Sequence, residues 1–141
     1  MSEAYRVRLR TIGDGPTALG EAGPFTLVTD RPAASGGGGL GFNGGQLLYL
    51  AIAACWSNDL YREAATMHIE LDGVEVTVDG DFPARGSGST PISVDVFVRS
   101  SAPEDRVREL IAEVDRVAEI PRAIREGPAI TVNAMVEGNR A

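Results

Sequence analysis

Between Ser35 and Cys55 the sequence reads SGGGGLGFNGGQLLYLAIAAC, and this stretch limits the possible folds more than any other. Seven glycines fall within its first eleven residues, so this part has few side chains to pack and is expected to form a loop. From Asn43, a favourable residue at a helix N-terminus, apolar residues follow at helical spacing to about Met67. The stretch therefore predicts a glycine-rich loop leading into a long helix.

The first half of this predicted helix is apolar on nearly every side, and charged residues begin only after Cys55. A helix of this kind is normally buried, and Ala51, Ala53 and Ala54 would let another backbone come close. The apolar run Leu47 to Trp56 is about half of the ~20 residues that a membrane span needs. We therefore expect a core helix, no membrane partner, and burial against a second subunit.

Alternating apolar residues predict short strands on both sides of the helix. The predicted strands are Tyr5 to Leu9, Phe25 to Thr29, Val74 to Val78, Ile92 to Val98 and Ile130 to Val136. We expect a loop from Gly13 to Gly23 between the first two strands, and an antiparallel pair after the helix. Strands in hairpins, with helices between the blocks, indicate an α+β fold in one domain covering residues 1–141.

A second helix is predicted after the fourth strand. Ser101 and Glu104 have the spacing of a capping box, and an amphipathic pattern extends from Val107 to Ala118. Pro121 is expected to end this helix, since proline lacks the amide hydrogen that a helix interior uses. A short turn from Arg122 to Arg125 would then lead to the last strand.

The charge balance excludes some classes of partner. The chain has a formal net charge of −7, with 13 basic residues that are all arginine, so it lacks the basic field that nucleic acids require. Arg6, Arg8 and Arg10 alternate along the first strand and are interpreted as a charged outer face that discourages edge pairing. One cysteine cannot form an intrachain disulfide, and the N-terminus lacks a secretion signal, so we expect a cytoplasmic protein.

The glycine-rich stretch also contains a G-x-G-x-x-G match from Gly39 to Gly44, which could hold a pyrophosphate. A dinucleotide fold needs a strand that runs directly into this turn and a parallel strand after the helix. Here Pro32 and a loop come before the turn, and a hairpin follows the helix. The absence of lysine also excludes a Walker loop and a Schiff-base enzyme, so we predict no cofactor.

His68 and Cys55 are the only residues of their types. Without a His or Cys cluster we predict no metal site, and His68 is interpreted as a polar residue at the end of the helix. Cys55 fits either a small buried apolar residue or a reactive thiol. It lies some three turns from the helix start, so a lowered thiol pKa would need a nearby arginine or another cation.

The run GGGGLGFNGGQLLYLAIAACWSNDLYREAA resembles the OsmC/Ohr family of osmotically inducible and organic hydroperoxide resistance proteins. The later run VDRVAEIPRAIREGPAITVNAMV is similar to the last helix, Cys-Pro turn and last strand of that family. The resemblance implies antiparallel sheets wrapped around long central helices in an intertwined homodimer. It also implies thiol-based reduction of organic hydroperoxides in oxidative stress defence, with Cys55 at the position of the attacking cysteine.

The chain departs from the family pattern at three places. Ile120 precedes Pro121 where the second cysteine would be, so no internal disulfide can complete the usual cycle. Gly44 and Gly45 replace a Pro-Glu pair, and Gln46 cannot supply a carboxylate. The arginines that could support the thiol are Arg6, Arg8, Arg10 and Arg31.

Three hypotheses follow. The first is a one-cysteine thiol peroxidase in which Cys55 is recycled by an external thiol, with slow turnover expected. The second is a non-catalytic relative that binds an apolar small molecule at the dimer interface, in a pocket lined by Leu47 to Trp56 and Phe42. The third is an interaction protein with Cys55 sealed inside a packed interface.

Overall fold

The structure is a computed structural model that describes residues 2–138. Two small antiparallel sheets and three helices confirm the predicted α+β class. The elements are β1 (Arg8–Thr11), β2 (Ala18–Ala22), β3 (Phe25–Thr29), α1 (Gly44–Thr66), β4 (Gly73–Asp79), β5 (Ser93–Arg99), α2 (Glu104–Val117) and α3 (Glu119–Glu126). A 3₁₀ turn, Ala33–Ser35, opens the glycine-rich loop.

The first sheet is a three-stranded meander in the order β1-β2-β3. The prediction of a loop from Gly13 to Gly23 was wrong, because β2 lies inside it, and the first strand begins at Arg8 rather than Tyr5. The sequence ALGEA of β2 has weak strand propensity. Its backbone is instead held on both sides, by β1 and by β3, and this tertiary pairing outweighs the propensity.

The outer strand of this sheet carries the arginines that the sequence placed on a charged face. β1 lies at the sheet edge with all four of its residues exposed. Arg10 pairs across to Glu21 on β2 with an N–O distance of 3.6 Å. Arg8 is exposed on the same strand, and Arg6 lies before it begins. Arg8 and Arg10 are therefore exposed on an edge strand, and their role in discouraging edge pairing stays a prediction.

The central helix α1 begins where the sequence predicted. Asn43 is its N-cap: its side chain accepts a hydrogen bond from the Gln46 amide at 2.9 Å. The Gln46 side chain accepts one in return from the Asn43 amide, also at 2.9 Å. Gln46 thus completes a capping box, and its neutral side-chain amide is sufficient for this role.

One side of α1 forms the core of the molecule. Ile52, Trp56 and Leu60 are buried there together with Leu110 and Val114 of α2. The antiparallel pair β4–β5 covers the same core with alternate valines, as its predicted alternation requires. α1 is thereby held against both a sheet and a helix.

The other side of α1 is open in the single chain. Leu50 is 47% exposed and Tyr61 is 50% exposed, and Ala51 and Ala54 are also exposed. The predicted burial of this side was expected against a second subunit, so it stays a prediction.

The predictions for the second helix were wrong at both of its ends. The helix breaks at Ala118, and Pro121 lies in the first turn of α3, where its missing amide hydrogen costs nothing. The turn predicted from Arg122 to Arg125 belongs to this helix. The capping box from Ser101 does not form, because the N-cap is Pro103, without a side-chain hydrogen bond.

The prediction of a last strand is also wrong: residues 127–138 form no strand. Ile130, Val132 and Val136 are 84–90% exposed. A strand needs a neighbouring ladder for its backbone groups, and residues 2–138 supply none for this segment. No helix within residues 2–138 combines the length and apolar content that a membrane crossing requires.

Candidate functional site

Cys55 is half-buried on α1 and faces a cavity of about 740 Å³. The wall of the cavity combines the open side of α1, the start of α3 and the N-terminal segment. The lining residues are Glu3, Tyr5, Ala51, Ala54, Cys55, Asn58, Asp59, Arg62, Glu119 and Ile120. The only cysteine of the chain therefore has access to a space large enough for a small organic molecule.

The thiol has a carboxylate as its neighbour. The Cys55 Sγ donates to Asp59 Oδ2 at 3.7 Å, one helical turn further along α1. Burial raises the pKa of Cys55, and the negative charges of Asp59 and Glu119 raise it further. The backbone amides of Ile120 and Glu119 act in the opposite direction but do not outweigh burial. At neutral pH the sulfur is consequently protonated.

Asp59 is itself buried, with 4% of its surface exposed. Burial raises its pKa, and the charge of Glu119 adds to this effect. Arg62 opposes it from one turn away, with an N–O distance of 3.1 Å. An aspartate with a raised pKa beside a thiol is suited to accept a proton and to return it.

The arginine beside this carboxylate was missed by the sequence analysis. Within residues 2–138 none of the four candidate arginines lines the cavity, whereas Arg62 does. The four candidates were Arg6, Arg8, Arg10 and Arg31. The signal that could have found the site was spacing: Asp59 and Arg62 follow Cys55 by four and seven residues, which puts all three on one helix face.

Glu119 and Ile120 join the site from the start of α3, where the chain turns back towards α1. Ile120 contributes an apolar wall to the same cavity as Cys55. By the family resemblance this is the position of the second cysteine, so an isoleucine side chain faces the space where a resolving thiol would be. Glu119 supplies a carboxylate that the sequence analysis did not single out.

Cys55, Asp59 and Glu119 have donor atoms within 4.8 Å of one another, close enough to share a metal ion. The guanidinium of Arg62 lies 3.1 Å from Asp59 and 3.8 Å from Glu119, so a cation already serves both carboxylates. His68 is exposed beyond the end of α1, with a φ of 56°, and is not part of this group. It ends the helix in the left-handed conformation, in keeping with its interpretation as a polar C-terminal residue.

The backbone amides of the glycine-rich loop bind a carboxylate of the same chain. Its amides at Gly38 and Leu40 donate to the carboxylate of Asp30, at 3.3 and 3.2 Å. The Thr17 hydroxyl and the Arg31 amide donate to the same group, at 2.8 and 2.7 Å. Burial alone would raise the pKa of Asp30, but these hydrogen bonds outweigh it and lower the pKa. The loop thus binds an anion that the chain itself supplies.

A second cavity, of about 700 Å³, is mostly apolar and lies between α1, β5 and α3. Its apolar walls include Leu48, Ile52, Phe82, Ile92, Val94 and Ile124. Phe42 is not among the residues that line this cavity, and the ligand pocket predicted at a dimer interface stays a prediction. Phe42 lines a separate, smaller cavity of about 220 Å³ together with Leu47.

The sequence from the glycine-rich loop to the C-terminal segment matches a known family. Residues 36–133 fit the family model described as OsmC-like protein. The chain belongs to the OsmC-like family. This assignment includes the loop, α1 with Cys55, and the start of α3 with Ile120.

Solved structures of OsmC-like proteins share the fold. The OsmC-like protein from Mycoplasma pneumoniae superposes with a TM-score of 0.77 at 20% identity, over 90% of this chain and 91% of the other. The organic hydroperoxide resistance protein OhrB of Bacillus subtilis gives 0.61 at 22% identity, over 89% and 93%. A Legionella pneumophila organic hydroperoxide resistance protein, OsmC, gives 0.65 at 20% identity, over 87% and 90%. No curated protein sequence matches the chain.

Proposed function

We propose that this OsmC-like protein reduces organic hydroperoxides by a one-cysteine cycle at Cys55. The observation that carries the proposal is the thiol of Cys55, which faces an open cavity and donates to the buried carboxylate of Asp59 at 3.7 Å. Membership of the family and the fold shared with organic hydroperoxide resistance proteins support the same chemistry. The proposed substrate enters from the cavity and approaches the sulfur.

In the first step Asp59 accepts the thiol proton as the sulfur attacks the distal peroxide oxygen. The O–O bond breaks, and the distal oxygen stays on the sulfur, which becomes a sulfenic acid. Asp59 then gives the proton to the proximal oxygen, and the substrate leaves as an alcohol. The amides of Glu119 and Ile120 stabilise negative charge on the sulfur during the attack. One hydroperoxide therefore gives one alcohol and one sulfenic acid.

The second half of the cycle needs a thiol from outside, because Cys55 is the only cysteine of the chain. One external thiol condenses with the sulfenic acid, releasing water and leaving a mixed disulfide. A second external thiol attacks that disulfide and restores Cys55. Two thiols are thus oxidised to one disulfide for each hydroperoxide reduced.

The test is consumption of cumene hydroperoxide in the presence of a small thiol. We expect Cys55→Ser to fall to the uncatalysed rate. Asp59→Asn is expected to keep reacting with iodoacetamide, since its thiol remains, but to consume peroxide about tenfold more slowly without a proton acceptor. Equal peroxide consumption by wild type and Cys55→Ser would refute the proposal.

We also propose that the protein is an intertwined homodimer in which a second copy packs against α1 and leaves the Cys55 cavity open to substrate. The exposed Leu50 and Tyr61 on α1, and the unpaired apolar segment from Ile130 to Val136, support it. The two-stranded sheet β4–β5 also has unpaired edges within residues 2–138, and such edges can accept another strand. Sedimentation at micromolar concentration is expected to give twice the chain mass, and a monomer would contradict the assembly.

A second candidate function is binding of an apolar small molecule without catalysis. The mostly apolar cavity of about 700 Å³ on the far side of α1 favours it. Aromatic and fatty-acyl compounds are expected to raise the melting temperature of the wild type and less so that of Ile52→Asn, which puts a polar group into this cavity. No thermal shift with any of them would count against this candidate.

A further inference from the structure

We propose that the Cys55 cavity selects neutral or positively charged partners and disfavours those that carry a carboxylate. The inference rests on the proposed function, because it names the class of hydroperoxide and of external thiol that the same site would use. It follows from the charges on the cavity wall rather than from its apolar surface.

Three carboxylates and one guanidinium line the cavity. The carboxylates are those of Glu3, Asp59 and Glu119, and the guanidinium is that of Arg62. With all four ionised, the wall carries two more negative than positive charges. The whole chain has a formal net charge of −7, so the wider field has the same sign.

The one cation of the wall already forms salt bridges with carboxylates of the chain. Arg62 contacts Asp59 at 3.1 Å, Glu63 at 2.9 Å and Glu119 at 3.8 Å. An entering carboxylate would have to compete with these three carboxylates for the same guanidinium. Drawing Arg62 away from Asp59 or Glu63 would leave a buried or half-buried carboxylate without its cation, which is costly.

The N-terminal segment adds to the same field. The Tyr5 hydroxyl donates to the Glu3 carboxylate, and both residues line the cavity. This phenol is consequently engaged and is a poor donor for a second carboxylate. An ammonium group, by contrast, would find Glu3 and Glu119 at the wall, and a neutral hydroperoxide would meet no repulsion.

The experiment measures the reaction of Cys55 with three methanethiosulfonates that bear a trimethylammonium, a neutral and a sulfonate group. Each forms a mixed disulfide with the thiol and releases methanesulfinate. Since the chain has one cysteine, the added mass reports that site alone. Rates are divided by those of N-acetylcysteine amide, which corrects for the intrinsic reactivity of each reagent.

We expect the corrected rate of the cationic reagent to exceed that of the anionic one on the order of tenfold at 0.15 M salt, and more at 10 mM salt. In Glu119→Gln the ratio is expected to fall several-fold. Glu126→Gln is the matched control, because it removes the same charge from the same helix at a residue that does not line the cavity. This control is expected to leave the ratio nearly unchanged.

Equal corrected rates for the two charged reagents, or a faster anionic reagent, would overturn the inference. An equal drop in Glu119→Gln and Glu126→Gln would overturn the role of the cavity wall, because only net charge would then matter. The proposed peroxidase is judged separately by peroxide consumption in Cys55→Ser. If that function fails while the rate ratio persists, the charge preference of the cavity stands and the reaction does not.

Discussion

Asp30 and Asp59 are equally buried, each with 4% of its surface exposed, yet their pKa values shift in opposite directions. Around Asp30 one hydroxyl and three backbone amides donate to the carboxylate, and they outweigh the burial that would raise its pKa. Around Asp59 burial prevails, and the charge of Glu119 adds to it against the attraction of Arg62.

The difference separates a carboxylate that stabilises a loop from one that is placed to exchange a proton with a neighbouring thiol. Asp30 has all its hydrogen bonds supplied by the chain and faces no open cavity comparable to that of Cys55. Asp59 has a thiol on one side, an arginine on the other and a large cavity in front of it. The fully hydrogen-bonded carboxylate of Asp30 holds its loop in place. The charge of Asp59 is less well stabilised, so this carboxylate can exchange a proton more easily.

The largest effect is expected from filling the space that the glycine-rich loop needs beside β3. A Cβ at Gly41 would lie 2.2 Å from the carbonyl oxygen of Val28, so the backbone would have to move. Gly41→Ala is expected to lower the free energy of unfolding by about 3 kcal/mol, measured by urea denaturation. The control is Gly44→Ala, whose Cβ meets nothing within 4 Å, and it should be neutral or slightly stabilising. Similar losses in both variants would show that the loop is not sterically constrained.

The two aspartates can be compared directly by amide substitution. Asp30→Asn is expected to lower the melting temperature by about 5–10 °C at pH 7, because an amide cannot accept all four hydrogen bonds. Asp59→Asn is expected to change it by no more than about 3 °C, since its charge is not well stabilised.

The pH dependence of the melting temperature tests the role of Asp30 further. The pKa of Asp30 is lower in the folded state than its ordinary value, so its stabilisation is present above about pH 4 and is lost as the pH falls through the folded pKa. The gap in melting temperature between wild type and Asp30→Asn should therefore narrow near pH 3. A gap that widens in acid would contradict the assigned role.

The smallest expected effect is in the pH profile of the thiol. Because burial raises the pKa of Cys55, its reaction with iodoacetamide should continue to rise by about tenfold per pH unit up to pH 9. The urea-unfolded chain is the control, and its thiol should level off earlier. In Asp59→Asn the profile should move to lower pH, because a negative charge that raises the thiol pKa is removed. A folded-state profile that levels off below pH 8 would contradict this environment for Cys55.

Much of the fold could be predicted because it depends on local patterns. The start of α1 at Asn43 follows from capping chemistry, and the β4–β5 pair follows from alternating valines. β2 was missed because ALGEA has weak strand propensity and is held by its two neighbours. The break at Ala118 was missed because proline is tolerated in the first turn of a helix, so Pro121 marks a start rather than an end.

By itself the sequence determined the α+β class, the loop and the central helix with Cys55, since glycine content and apolar spacing act over short distances. The resemblance in its motifs determined the family, and the missing second cysteine could be read directly. Only the tertiary structure decided which groups surround the thiol. Asp59, Arg62 and Glu119 are spread over sixty-five residues from Cys55 onwards, and α3 has to turn back onto α1 before their charges and the sulfur share one cavity.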